Sequence, residues 1–128
     1  MIFRVQDSDG RGPYRLGFSR FWVDDDGPAN APWWTEIGVP IDVAHAWMDD
    51  DHHWGCGFST IDQFCRWFSP AERARLDRFG YILVLLNPDR VIATTPTQVV
   101  FGCKRPLRDA VEMRVKLSAK LAIKRLAA

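Results

Sequence analysis

Residues Ser69 to Leu86 constrain the fold more than any other stretch, because they spell a helix with both ends marked and, directly after it, a strand without a charge. Ser69-Pro70-Ala71-Glu72 supplies a capping hydroxyl, a proline where the first helical turn tolerates one, and a glutamate placed to reach back to the cap. Gly80 stands where a helix ends in a left-handed residue. Tyr81-Ile82-Leu83-Val84-Leu85-Leu86 is an unbroken apolar run, far too short to span a membrane, and Asn87-Pro88-Asp89 turns the chain after it. Such a run reads as a strand covered on both faces. It requires other strands beside it and helices over it.

The remaining chain supplies them. Ile2 to Val5 reads as an opening strand that exposes Arg4 on one face, and the Gly/Pro-rich Asp9 to Pro13 ends it. Phe18 to Trp34 reads as a long aromatic and acidic loop with a turn at Asp24 to Pro28. Pro40 to Met48 predicts a short helix with Ile41, Ala44 and Met48 on one stripe. Gly55-Cys56-Gly57-Phe58 reads as flexible, leading to a helix capped by Ser59 and answered by Asp62, with Ile61, Phe64, Cys65 and Phe68 on its packing side. Val91 to Ala93 and Thr97 to Gly102 read as further strands, and Pro106 to Leu126 as one amphipathic helix. The fold class is α+β, with a small mixed or antiparallel sheet, three to four helices and a C-terminal amphipathic helix. It divides into a core at 1–103 and a basic helix at 104–128, within one domain.

Charge is distributed unevenly along the 128 residues. From Lys104 onward eight basic residues face two acidic ones, a net of +6, against −5 for the rest. Lys116, Lys120, Lys124 and Arg125 on the terminal helix, with Trp33 and Trp34 on the aromatic loop, are the candidate partner-binding residues. The same lysines would also suit a helix docked on its own acidic body. Cys56, Cys65 and Cys103 are an odd, irregular set, which argues against a disulfide framework and for a reducing compartment. With no signal peptide or membrane span apparent, a cytoplasmic location is expected. Asp50 to Cys56 concentrates metal-ligating side chains without the spacing of a zinc site, so no metal is expected. His53 lies three residues from Cys56, too near in sequence for the usual thiolate–histidine arrangement.

Arg4 in the opening strand, Phe58-Ser59-Thr60 before a helix, Tyr81 to Val84, Val91, and Gln98-Val99-Val100-Phe101 occur in an order that resembles the core of the ADP-ribosyltransferase superfamily. The resemblance implies that Arg4 contacts a dinucleotide, that Ser59 and Thr60 support the nicotinamide ribose, and that NAD is the cofactor if one is used. The superfamily's catalytic glutamate falls at Gln98, whose neutral amide cannot stabilise the positive charge that develops as nicotinamide leaves. Met1 to Val5 with Gly12-Pro13-Tyr14-Arg15, and His53 to Ser59 with Gln63 and Trp67-Phe68, resemble small proteins of phages and prophages. Together the two resemblances imply a phage-type binding protein that inhibits a host or defence protein or ribonucleoprotein without catalysis. Anti-CRISPR action is one form of that role. An NAD-dependent transferase and a nucleic-acid-binding module acting through the basic helix are the alternatives.

Overall fold

The computed structural model describes residues 1–24 and 30–127. The fold is mixed α+β, with six strands and five α-helices among the described residues. The strands are β1 (Ile2–Gln6), β2 (His53–Gly57), β3 (Ile82–Leu86), β4 (Arg90–Thr94), β5 (Val99–Cys103) and β6 (Val111–Lys116). The helices are α1 (Trp33–Glu36), α2 (Ile41–Ala46), α3 (Ile61–Trp67), α4 (Pro70–Arg78) and α5 (Lys120–Leu126).

Two antiparallel three-stranded sheets, β1-β3-β6 and β2-β5-β4, carry the architecture. A single bridge joins them: Phe3 N–H donates to the Phe58 carbonyl at 2.9 Å, and Phe58 N–H donates back to the Phe3 carbonyl at 2.7 Å. Strands therefore run β6-β3-β1 and continue through the bridge into β2-β5-β4. Phe3 and Val5 alternate with Ile2, Arg4 and Gln6 along β1. Val5 and Leu83 meet α3, α4 and α5 in a cluster that holds Phe64, Phe68, Leu76 and Ile123. Ile2, Val84 and Leu86 pack on the opposite face with Phe101, Leu107 and Ala110. Both faces of β1 and β3 are thus covered.

Helix α4 forms as its sequence dictates, with Ser69 and Glu72 completing a reciprocal cap and Gly80 at φ +84° beyond its end. The three strands read after it form at β3, β4 and β5. For α3 the capping box is shifted by one residue. Thr60 rather than Ser59 is the cap, and Gln63 rather than Asp62 answers it, because glutamine both receives the cap's backbone N–H and offers its own to the Thr60 hydroxyl. Cys65, expected on the packing stripe, is exposed.

Other readings are corrected. Arg4 is buried at 7% exposure instead of facing solvent, since the strand that carries it is interior to the assembly of sheets. Gly55 to Gly57 is strand β2 instead of a flexible loop, its backbone satisfied by β5. The long loop contains a 3-10 turn at Ser19–Phe21 and α1, while the expected turn at Asp24 to Pro28 lies, except for Asp24, outside the described residues. Helix α2 buries Ala44 alone of its expected stripe, leaving Ile41 exposed. The largest correction is at the C-terminus: the continuous helix from Pro106 to Leu126 is instead β6 followed by the short α5. Helix propensity is a weak local preference, and β3 offered a whole row of unpaired backbone groups on its second edge. Val111 and Val115, β-branched, pack against the two core clusters from there. The residues after Lys104 complete the first sheet and are no appendage to it.

Gly57 is the tightest point where the sheets join. A Cβ there would lie 2.5 Å from the Phe3 carbonyl oxygen and 2.6 Å from an Ile2 methyl. Backbone cannot yield as a side-chain tip can, so Gly57→Ala is expected to cost about 1–3 kcal/mol of folding stability, read from urea unfolding. An unchanged midpoint would show that the two sheets are not locked at this point.

Candidate functional site

The junction of the sheets encloses a cavity of about 680 Å³, floored by β1 and β2 and walled by the segments around Gly12 and Trp33. That volume is typical of a small-molecule site. Four tryptophans, Trp33, Trp34, Trp54 and Trp67, contribute to its lining along with Tyr14 and Phe58. Three arginines line it as well, and no Asp or Glu does among the described residues.

Arg4 occupies the floor. Its Nε donates to Gln6 Oε1 at 3.0 Å, one terminal nitrogen to the Cys56 carbonyl at 2.8 Å, and the other to the Gly10 carbonyl at 3.2 Å. Gln6 is held in turn by donation to the Leu107 carbonyl at 3.2 Å. All these acceptors are neutral, and among the described residues no carboxylate lies within ion-pair distance of Arg4. A guanidinium has five N–H donors, so one remains unspent on each terminal nitrogen. Burial pushes the Arg4 pKa down, against the influence of Cys56 and Asp7, yet arginine stays charged in proteins. Gly55 makes room for it: a Cβ there would come within 2.8 Å of an Arg4 terminal nitrogen.

The other two arginines are differently disposed. Arg11 is paired with Asp7 and Asp9 at the surface. Arg15 lies over the Phe18 ring at 4.7 Å, and its Nε is buried with no hydrogen-bond partner among the described residues. The aromatic wall is braced by hydrogen bonds, with Trp67 Nε1 donating to the Tyr14 hydroxyl at 2.6 Å and Asn30 to the Trp67 carbonyl at 3.1 Å.

Gln98 lines the same cavity just ahead of β5, so of the predicted site residues the structure brings together Arg4, Gln98, Trp33 and Trp34. Ser59 and Thr60 do not line it; both are exposed, and their N–H groups are engaged with Gln63. Trp33, expected on an exposed loop, is 2% exposed and packs with Ala44 and Val100, while Trp34 is half-buried. Lys116 is exposed on β6 and Arg125 on α5. Lys120 and Lys124 border a second cavity of about 460 Å³ between α5 and the α3–α4 pair, with Arg73 and Asp62.

The Asp50 to Cys56 run is dispersed by β2. His53 and Cys56 differ by an odd number along a strand, so their side chains leave opposite faces. His52 is held by Asp49 at 2.7 Å. No group of three or more metal-ligating side chains occurs among the described residues.

Sequence reasoning missed Tyr14, Trp54 and Trp67 as cavity walls and Glu36 behind Gln98. The one available signal was Gly12-Pro13-Tyr14-Arg15, whose turn residues precede two of the lining side chains. Cys56 faces the cavity and keeps accessible surface there. Protein surrounds it on its other sides, and burial pushes its thiol pKa up, with Arg4 acting in the opposite sense. At a given pH less thiolate forms than on an unhindered cysteine. Iodoacetamide labelling at pH 8, followed by mass spectrometry, should therefore modify Cys56 several-fold more slowly than an unstructured cysteine peptide and accelerate as pH rises. Labelling as fast as the peptide would contradict the placement.

No curated protein and no solved structure matches the chain. A family match extends over residues 1–113, a span that includes β1 to β5 and every residue of the cavity. The chain belongs to the Bacteriophage T4 Y00F protein family.

Proposed function

We propose that this phage-family protein is a stoichiometric binding protein, built on an ADP-ribosyltransferase-like core, that holds an anionic nucleotide in the aromatic cavity without turning it over. The observation that carries the reading is Arg4, a buried guanidinium with two unspent donors and no carboxylate partner among the described residues, at the floor of a cavity walled by indole rings. A buried cation is costly unless something answers its charge. A phosphate does so with bidentate hydrogen bonds, and flat indoles suit a nucleobase or nicotinamide ring.

The transferase-like core is supported by the position of Arg4 on β1 and of Gln98 before β5, both lining one cavity, while Ser59 and Thr60 at the start of α3 lie outside it. Binding in preference to turnover is supported by the amide at Gln98 and by the lack of any acidic lining residue among those described. In a phage setting such capture withholds the nucleotide from host proteins that depend on it. Inhibition of a host or defence macromolecule, anti-CRISPR action included, would then operate through the ligand. An NAD-dependent transferase is the second reading, favoured by Arg4 and Gln98 sharing one cavity. A nucleic-acid role has less support, because β6 and a seven-residue α5 replace the long basic helix on which it rested.

Calorimetric titration with NAD, ADP-ribose and ADP at physiological salt should give saturable binding of at least one at one equivalent. Arg4→Met should weaken it about 10- to 100-fold, the value of one charge-assisted contact, and NAD should release no nicotinamide during incubation. Failure of all three nucleotides to bind would overturn the reading. Steady nicotinamide release would replace it with the transferase.

A further inference from the structure

Gln98 is clamped from behind by an acid outside the cavity. Its Nε2 donates to the Ala31 carbonyl at 3.0 Å and also to the Glu36 carboxylate. Glu36 is fixed in turn by the Thr97 hydroxyl, 2.7 Å from Oε1 and 2.8 Å from Oε2. Carbonyl and carboxylate oxygens only accept, so the amide nitrogen must face them and the amide cannot flip without losing both bonds. The consequence falls on the other atom of the amide. Gln98 Oε1 has no hydrogen-bond partner among the described residues, on a residue that lines the cavity.

We propose that Glu36 is a positioning residue which, through Gln98, makes the cavity selective for a ligand carrying a hydrogen-bond donor as well as an anionic group. Two of the polar lining residues then have complementary functions. Arg4 offers only donors and takes the anion, while Gln98, locked by Glu36, offers only an acceptor and takes a hydroxyl or an N–H. A site built to accept from a hydroxyl discriminates against the analogue lacking it, because its own acceptor is then left buried and unmet. Glu36 is on α1, between β1 and β2, and Gln98 is just ahead of β5, so nothing local in the sequence announces their contact.

The inference rests on nucleotide binding as proposed above, and the probes separate the two. ADP and 2′,3′-dideoxy-ADP share base and phosphates and differ only in the sugar hydroxyls. Wild-type protein should prefer ADP by about tenfold or more, the value of one hydrogen bond. Glu36→Ala should cut that preference below about threefold by weakening ADP alone, with dideoxy-ADP affinity unchanged, a pattern that simple loosening of the fold would not give. If Glu36→Ala does not fold, Glu36→Met serves: it keeps much of the side chain's length but offers no acceptor to hold the Gln98 amide, and the preference should fall in the same way. Equal wild-type affinity for the two probes, or an undiminished preference in the variant that folds, would overturn the role of Glu36 and leave nucleotide binding standing. Binding of neither probe would overturn the inference together with the reading beneath it.

Discussion

A positive charge buried in the middle of a small protein organises most of what surrounds it. Arg4 sits on β1, a strand covered on both faces, and its three hydrogen bonds reach β1 itself through Gln6, β2 through the Cys56 carbonyl, and the turn after β1 through Gly10. Those are the three pieces of chain that meet at the junction of the two sheets. The guanidinium therefore fastens the junction while keeping two donors in reserve. The glycine at 55 follows from it, since a side chain there would occupy the place of the terminal nitrogen. Aromatic walls complete the setting by lowering the local dielectric, which strengthens whatever the remaining donors meet.

The sequence resemblance to a transferase and the chemistry of the cavity point in compatible directions. An arginine stands on the first strand and shares a cavity with the residue ahead of β5, and that residue is an amide. Binding needs charge in the resting state, which Arg4 supplies; turnover needs negative charge opposite a cation that exists only fleetingly, which an amide does not supply. Glu36, the nearest acid bonded to Gln98, is outside the lining and is occupied with Gln98 and Thr97.

How much of this was legible in the sequence depended on how local each signal was. The α4 helix and the strand after it were readable because cap, stop and apolar run lie within one short segment. The α3 cap was misplaced by one residue because Ser59 and Thr60 both carry hydroxyls, and only the geometry of Gln63 selects Thr60. Strand β6 was read as helix because its residues tolerate a helix and the deciding partner, β3, lies some thirty residues earlier. Arg4 was found as a candidate, but its burial was not, since Ile-Phe-Arg-Val-Gln looks like a strand with one wet face until strands on both sides and the Leu107 segment cover it. The cavity itself had no signature, because its walls come from stretches scattered between Arg4 and Leu107 that only the fold assembles.

The central claim is that the unspent donors of Arg4 are what an anion in this cavity meets. Nitrogen-15 NMR of the arginine side chains during titration with ADP tests it directly. The account predicts that the Arg4 guanidinium signals shift and sharpen, saturating at one equivalent, while those of the exposed Arg20 and Arg78 stay in place. Saturable ADP binding that leaves the Arg4 signals unmoved would contradict it.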